Sequence, residues 1–116
     1  MQPYNGIQGI SLLPVLEDAR AVLPRDSMVI EDDQQRAIFG LPSGARLRTL
    51  ITRRHRMTIA EGDLYGELYD LQSDPHEMDN LFDDPAQRAA RADLMECLAY
   101  REMELVDRSP LPMGRA

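Results

Sequence analysis

The stretch ELYDLQSDPHEMDNLFDDP, from Glu67 to Pro85, changes its residue period partway along. Glu67–Leu71 alternates, with Leu68 facing one way and Tyr69 and Leu71 the other, which is the period of a strand. Asp74-Pro75-His76-Glu77 then sets a capping carboxylate before a proline, with a glutamate three positions after the cap. That is the order of a capping box in Asp form, and it predicts one helical turn closed by Asn80-Leu81. Asp84-Pro85 repeats the start signal, and the sequence runs helical to about Val106, with Leu94, Leu98 and Leu105 as the inward stripe and Met95 beside it. Arg88, Arg91, Glu96, Arg101 and Glu104 suit the solvent face.

Upstream, Arg46–Thr52 (RLRTLIT) and Arg56–Ala60 (RMTIA) alternate imperfectly and are joined by Arg53-Arg54; Gly62-Asp63 supplies a second turn. With Glu67–Leu71 they read as an antiparallel meander, to which Ser27–Ile30 adds a fourth strand. Ala37-Ile38-Phe39 is either another short strand or loop. Ser11–Glu17 reads as a short helix, with Ser11 able to cap and Pro14 tolerated near the first turn. The expected fold class is α+β: a small antiparallel β-sheet of about four strands packed by a long C-terminal helix. Residues 1–26 form an N-terminal segment with the short helix, and residues 27–116 form the folded unit.

A chain of 116 residues supports one modest core. Trp is absent, so Leu, Ile, Val and Met must fill it. The net charge of −7 argues against a general nucleic-acid binder, and all 13 basic residues are arginine. The single cysteine, Cys97, excludes an internal disulfide and fits a reducing compartment. MQPYNGIQGISLL lacks the basic and apolar regions of a signal peptide, and no apolar run approaches the ~20 residues that cross a bilayer. The expected location is cytoplasmic, with no membrane or nucleic-acid partner.

Candidate chemistry is sparse. Asp70, Asp74, Glu77, Asp79, Asp83 and Asp84 crowd together, yet the segment has neither the ligand positions nor the glycine bend of a calcium loop. Asp74 and Asp84 have capping work, so a solvated, capped junction is the simpler reading. Arg53, Arg54, His55 and Arg56 form a basic cluster. It suits a sulfate, phosphate or carboxylate, and equally a solvated turn or a contact with an acidic neighbour. The flanking guanidiniums disfavour protonated His55. Cys97 falls mid-helix, where an inert thiol is the expectation. No G-x-S-x-G, phosphate-cradling glycine loop or His/Cys metal spacing is present.

Three segments in order resemble the C-terminal region of the sulfatase family, within the alkaline-phosphatase-like superfamily. The family's Glu-Leu-Tyr-Asp-Leu strand and following Asp-Pro-x-Glu-x-x-Asn-Leu are matched at Glu67, Leu68, Tyr69, Asp70, Leu71, Asp74, Pro75, Glu77, Asn80 and Leu81. RTLITRRHRM is similar to its Arg-Thr-x-Arg-Tyr-Lys hairpin at Arg48, Thr52 and Arg54, and departs at Ile51, His55 and Arg56. GISLLPVL resembles the segment that closes the family's catalytic domain. The resemblance implies a non-catalytic C-terminal subdomain packed beside a larger α/β domain. That larger domain would carry a formylglycine nucleophile and a divalent cation such as calcium. Neither is assigned to this chain. Cys97, in CLAYR, does not fit the nucleophile motif, so no catalytic residue, metal ligand or cofactor is expected here, and the chain alone is expected to be inactive. The expected partner is the missing α/β catalytic domain. The alternative is a free-standing module that self-associates or binds an anion.

Overall fold

In the computed structural model, residues 9–33, 37, 44–63 and 65–106 are described. The elements run α1 (Leu13–Glu17), β1 (Ser27–Asp33), β2 (Arg46–Thr52), β3 (His55–Ala60) and β4 (Gly66–Asp70), then a 3-10 turn (Pro85–Gln87) leading into α2 (Arg88–Leu105). The strands form one sheet in the order β1-β2-β3-β4, antiparallel throughout. This is the α+β meander and covering helix expected from the sequence. Ala37 is described without the rest of the Ala37-Ile38-Phe39 stretch, so that expectation lies outside the described residues.

Register explains the core. Val29 pairs with Leu50, Leu50 with Met57, and Met57 with Leu68, which lays one apolar row across all four strands. Leu50, Met57 and Leu68 are completely buried, and Leu94 and Leu98 of α2 close over them. Val29, Ile59, Leu81, Phe82 and Cys97 pack around this cluster. Each fully buried side chain of this kind contributes about 1.5–3 kcal/mol relative to exposure. Leu94 and Leu98 thus fill the predicted stripe, whereas Leu105 is only half-buried and Met95 is exposed.

The helix also holds the sheet through arginines that the heptad-like pattern assigns to solvent. Arg101 donates to the Ser27 hydroxyl at 2.9 Å and pairs with Asp26 at 2.5 Å and Glu104 at 2.7 Å, pinning α2 to the start of β1. Arg91 donates to the Phe82 carbonyl at 2.6 Å and lies over the Phe82 ring. Both guanidiniums reach acceptors on neighbouring parts of the chain, which helical spacing alone does not distinguish from full exposure.

Candidate functional site

The 67–85 junction closes one side of the sheet. β4 is an edge strand, and Asn80 takes the place of a neighbouring strand on it. Its carboxamide oxygen accepts from the Leu68 N–H at 3.0 Å, and its amide nitrogen donates to the Gly66 carbonyl at 3.0 Å. Leu81 then donates its own N–H to the Leu68 carbonyl at 2.8 Å. One side chain and one backbone amide thus satisfy groups that an edge would leave open. Phe82 follows and lies against Gly66 so closely that a Cβ there would drive into its ring, which is why β4 begins on glycine.

The Asp74–Glu77 segment is not the expected helical turn. Glu77 donates its N–H to the Asp74 carbonyl at 3.2 Å, a single turn, and Glu77 itself sits at φ 55. A left-handed residue stops helix propagation. Asp74 accepts from the Asp79 N–H at 2.9 Å, so its carboxylate organises the turn from a different donor than a capping box requires. The Glu77 carboxylate, freed from a capping role, reaches Arg56: Nε to Oε1 at 2.8 Å and a terminal nitrogen to Oε2 at 2.8 Å. The second start signal behaves as read, with Asp84 accepting from the Ala86 N–H at 2.9 Å ahead of Pro85.

Arg56 is the hub of the sheet's outer face. Besides Glu77 it meets Glu67 at 3.1 Å and the Thr58 hydroxyl at 3.1 Å, and its guanidinium stacks over the Tyr69 ring at 5.0 Å. The Tyr65 and Tyr69 hydroxyls both donate to the same Glu67 oxygen. That carboxylate opposes ionisation of its neighbours: the Tyr65 phenol is pushed up to about 12. Burial, then Glu67, raises Tyr69. Fork geometry lets one guanidinium serve two carboxylates, so this packing is specific to arginine.

Within the basic cluster, Arg54 pairs with Asp70 at 2.9 Å and 3.1 Å, and those hydrogen bonds are the main reason that the Asp70 carboxyl is held down at about 2. His55 exchanges two bonds with Thr52, its N–H donating to the hydroxyl at 2.9 Å and its carbonyl accepting at 3.2 Å, which fixes the β2–β3 turn. Its imidazole pKa is lowered, chiefly by burial, with Arg54 adding to the shift and Asp70 opposing it. The direction matches the sequence reading and the leading cause does not. Arg53 is exposed. Arg54 and Arg56 are therefore committed to carboxylates of the same unit, while Arg53, and much of Arg54 beside it, faces water. His76 is exposed, and Cys97 is half-buried against the core. Among the described residues, no three His, Cys, Asp or Glu side chains converge as a metal site, and no helix is long and apolar enough to cross a membrane.

Sequence reasoning missed three participants: Asn80 as an edge-strand surrogate, Gly66 as the seat for Phe82, and Tyr65 as a second donor to Glu67. The Asn80 after an alternating run carries the first signal, because an amide, like the peptide unit it replaces, offers a strand a carbonyl acceptor and an N–H donor.

No protein-family model matches the chain, and no curated protein does. Solved structures do. BT4656 in complex with its substrate D-glucosamine-2-N,6-O-disulfate superposes with a TM-score of 0.72 at 24% identity, covering 97% of this chain and 23% of that one. BT1596, a 2-O GAG sulfatase, gives 0.70 at 24% identity, covering 87% and 21%. A phosphonate monoester hydrolase from Silicibacter pomeroyi gives 0.71 at 25% identity, covering 90% and 22%. The chain thus has the fold of a sulfatase subdomain, as its motifs suggested, and spans between 21% and 23% of these three structures.

Proposed function

We propose that this chain is the non-catalytic C-terminal subdomain of a sulfatase-like ester hydrolase, a scaffold whose reactive centre lies in a separate α/β body. The observation that carries the reading is the asymmetric match: nearly all of this chain superposes on under a quarter of BT4656. The body would supply the activated nucleophile and a divalent cation such as calcium, and residues 9–26 would form its junction with the subdomain. The polar side chains described here suit a scaffold. Arg56, Glu67 and Glu77 saturate one another, and Asp70 and Arg54 do the same. Sulfate ester cleavage of the kind implied would need a cation and an activated nucleophile held to within about half an ångström.

The purified chain, supplied with calcium, is expected to release no 4-nitrophenol from 4-nitrophenyl sulfate or from a phosphonate monoester. Turnover abolished by Cys97→Ala would overturn the reading. Anion binding is a narrower possibility supported by Arg53, an exposed member of its cluster. Calorimetric titration with sulfate at low salt would show it as a response lost in Arg53→Gln.

A further inference from the structure

The two sheet edges differ in what finishes them. Asn80 and Leu81 occupy β4. No strand of the described residues pairs with the outer side of β1. Register places Met28, Ile30 and Asp32 on the outer face, beside Ile51, Thr49 and Leu47 of β2. Met28 and Ile30 are 46% and 44% exposed. A seven-residue edge strand with apolar side chains in water is a template for another strand, and proteins ordinarily blunt such an edge.

The far end of β1 is acidic. Glu31, Asp32 and Asp33 are all exposed. Arg48 meets Glu31 at 3.4 Å, Asp33 at 2.9 Å and Glu102 at 3.3 Å, and Arg46 meets Glu61 at 3.8 Å. Among the described residues there, carboxylates outnumber guanidiniums. A second copy fits this edge poorly in the in-register parallel arrangement. Parallel self-pairing would align each acid with its own copy. Antiparallel pairing centred on Val29 would set Asp32 opposite Asp26, although it would also set Arg25 opposite Asp33. Like charges directly opposite on neighbouring strands are destabilising.

We propose that β1 is a strand-addition site for a protein segment of alternating character. That segment would set apolar side chains beside Met28 and Ile30 and basic side chains over the 31–33 end. The mode is β-augmentation, in which backbone hydrogen bonds hold the added strand and side chains select it. Resting on the scaffold reading, the natural occupant is an extended segment of the α/β body.

The test is an amide-shift titration of the full chain with an eight-residue peptide alternating valine and lysine, against its valine–glutamate counterpart. The lysine peptide is expected to move amides of residues 27–33, and to bind about tenfold more tightly than the glutamate peptide at low salt. Ile30→Lys should abolish the response and leave the remaining spectrum folded. Equal binding of both peptides, shifts centred on β4 or α2, or no response at all would overturn the proposal. So would a concentration-dependent doubling of mass without peptide that Ile30→Lys removes, since the occupant would then be a second copy. Turnover by the chain alone would sink the scaffold reading and leave strand addition standing. A silent titration with no turnover would do the reverse.

Discussion

The β4 side and the β1 side of the same sheet are built on opposite principles. On the outer face, one register row runs Met28, Ile51, Arg56, Tyr69, and the next runs Ile30, Thr49, Thr58, Glu67. Along each row the chemistry passes from apolar and exposed at β1 to ionic and internally satisfied at β4. Thr58 and Tyr69 are buried, and the Thr49 and Thr58 hydroxyls bond each other at 2.9 Å midway. The segment leading into β1 continues its character: Leu12, Leu13, Leu16 and Val22 are exposed, and α1 buries none of its residues. Scattered exposed apolar residues need no explanation, but a run of them leading into an open edge marks an interaction surface. The β4 half is finished within this unit, and the β1 half is complementary to something else.

If that contrast is right, truncations on the finished side cost stability. The largest loss is expected for Leu68→Ala, which empties the centre of the core row. A drop of about 2–5 kcal/mol should follow, read from urea unfolding. A loss under ~1 kcal/mol would mean that the row is not the core. Asn80→Ala is expected to cost about 1–3 kcal/mol, because it strands the Leu68 N–H and the Gly66 carbonyl together. Asn80→Asp separates the two bonds: it keeps the acceptor for Leu68 and loses the donor to Gly66, so it should fall between alanine and wild type. If alanine and aspartate are equally harmless, β4 is not closed by Asn80 and the comparison between edges fails.

A smaller effect follows from Asp70. Its carboxyl lies below the ordinary value near 3.8, at about 2, chiefly because Arg54 donates to it. A carboxylate whose pKa is lower in the folded state contributes stability above the unfolded value. That contribution fades as pH falls from about 3.8 toward about 2. The pair is partly exposed, so the contribution is modest and salt-sensitive. Carboxyl-carbon titration of Asp70 should give a midpoint near the lower value, and Arg54→Gln should move it upward. An unmoved midpoint would show that the turn amides of Gln72 and Ser73, not Arg54, hold the charge.

Most of the fold was legible because period and punctuation state it directly. RLRTLIT is β2 to the residue, and Asp84-Pro85 opens the helical segment where it was read. The junction between them was legible as a junction and not as a conformation. Asp74-Pro75-x-Glu77 satisfies the pattern of a capping box, but Arg56, 21 residues earlier, competes for Glu77 and wins with two hydrogen bonds. A long-range partner of that kind leaves no local trace. The basic cluster was ambiguous for the same reason: adjacency in sequence made Arg53, Arg54 and Arg56 look like one group. In the structure, strand alternation and cross-strand partners give Arg54 to Asp70 and Arg56 to Glu67 and Glu77. What could be inferred without those partners was that each arginine needs an anion, not which one.

The smallest expected effect is also the most discriminating. Ile30→Lys replaces a half-exposed side chain that no buried residue depends on, so its stability should stay within ~0.5 kcal/mol of wild type. Ile51→Lys, one strand inward and less exposed, should cost more. If Ile30→Lys instead unfolds the chain, the residue is buried by a contact within this unit and β1 is as finished as β4. If both substitutions are silent, the outer face has no gradient from interior to edge. The outcome expected is a stable Ile30→Lys chain with an intact core and a charged edge, because an added strand gains from Ile30 only when it arrives, and the free subdomain gains almost nothing.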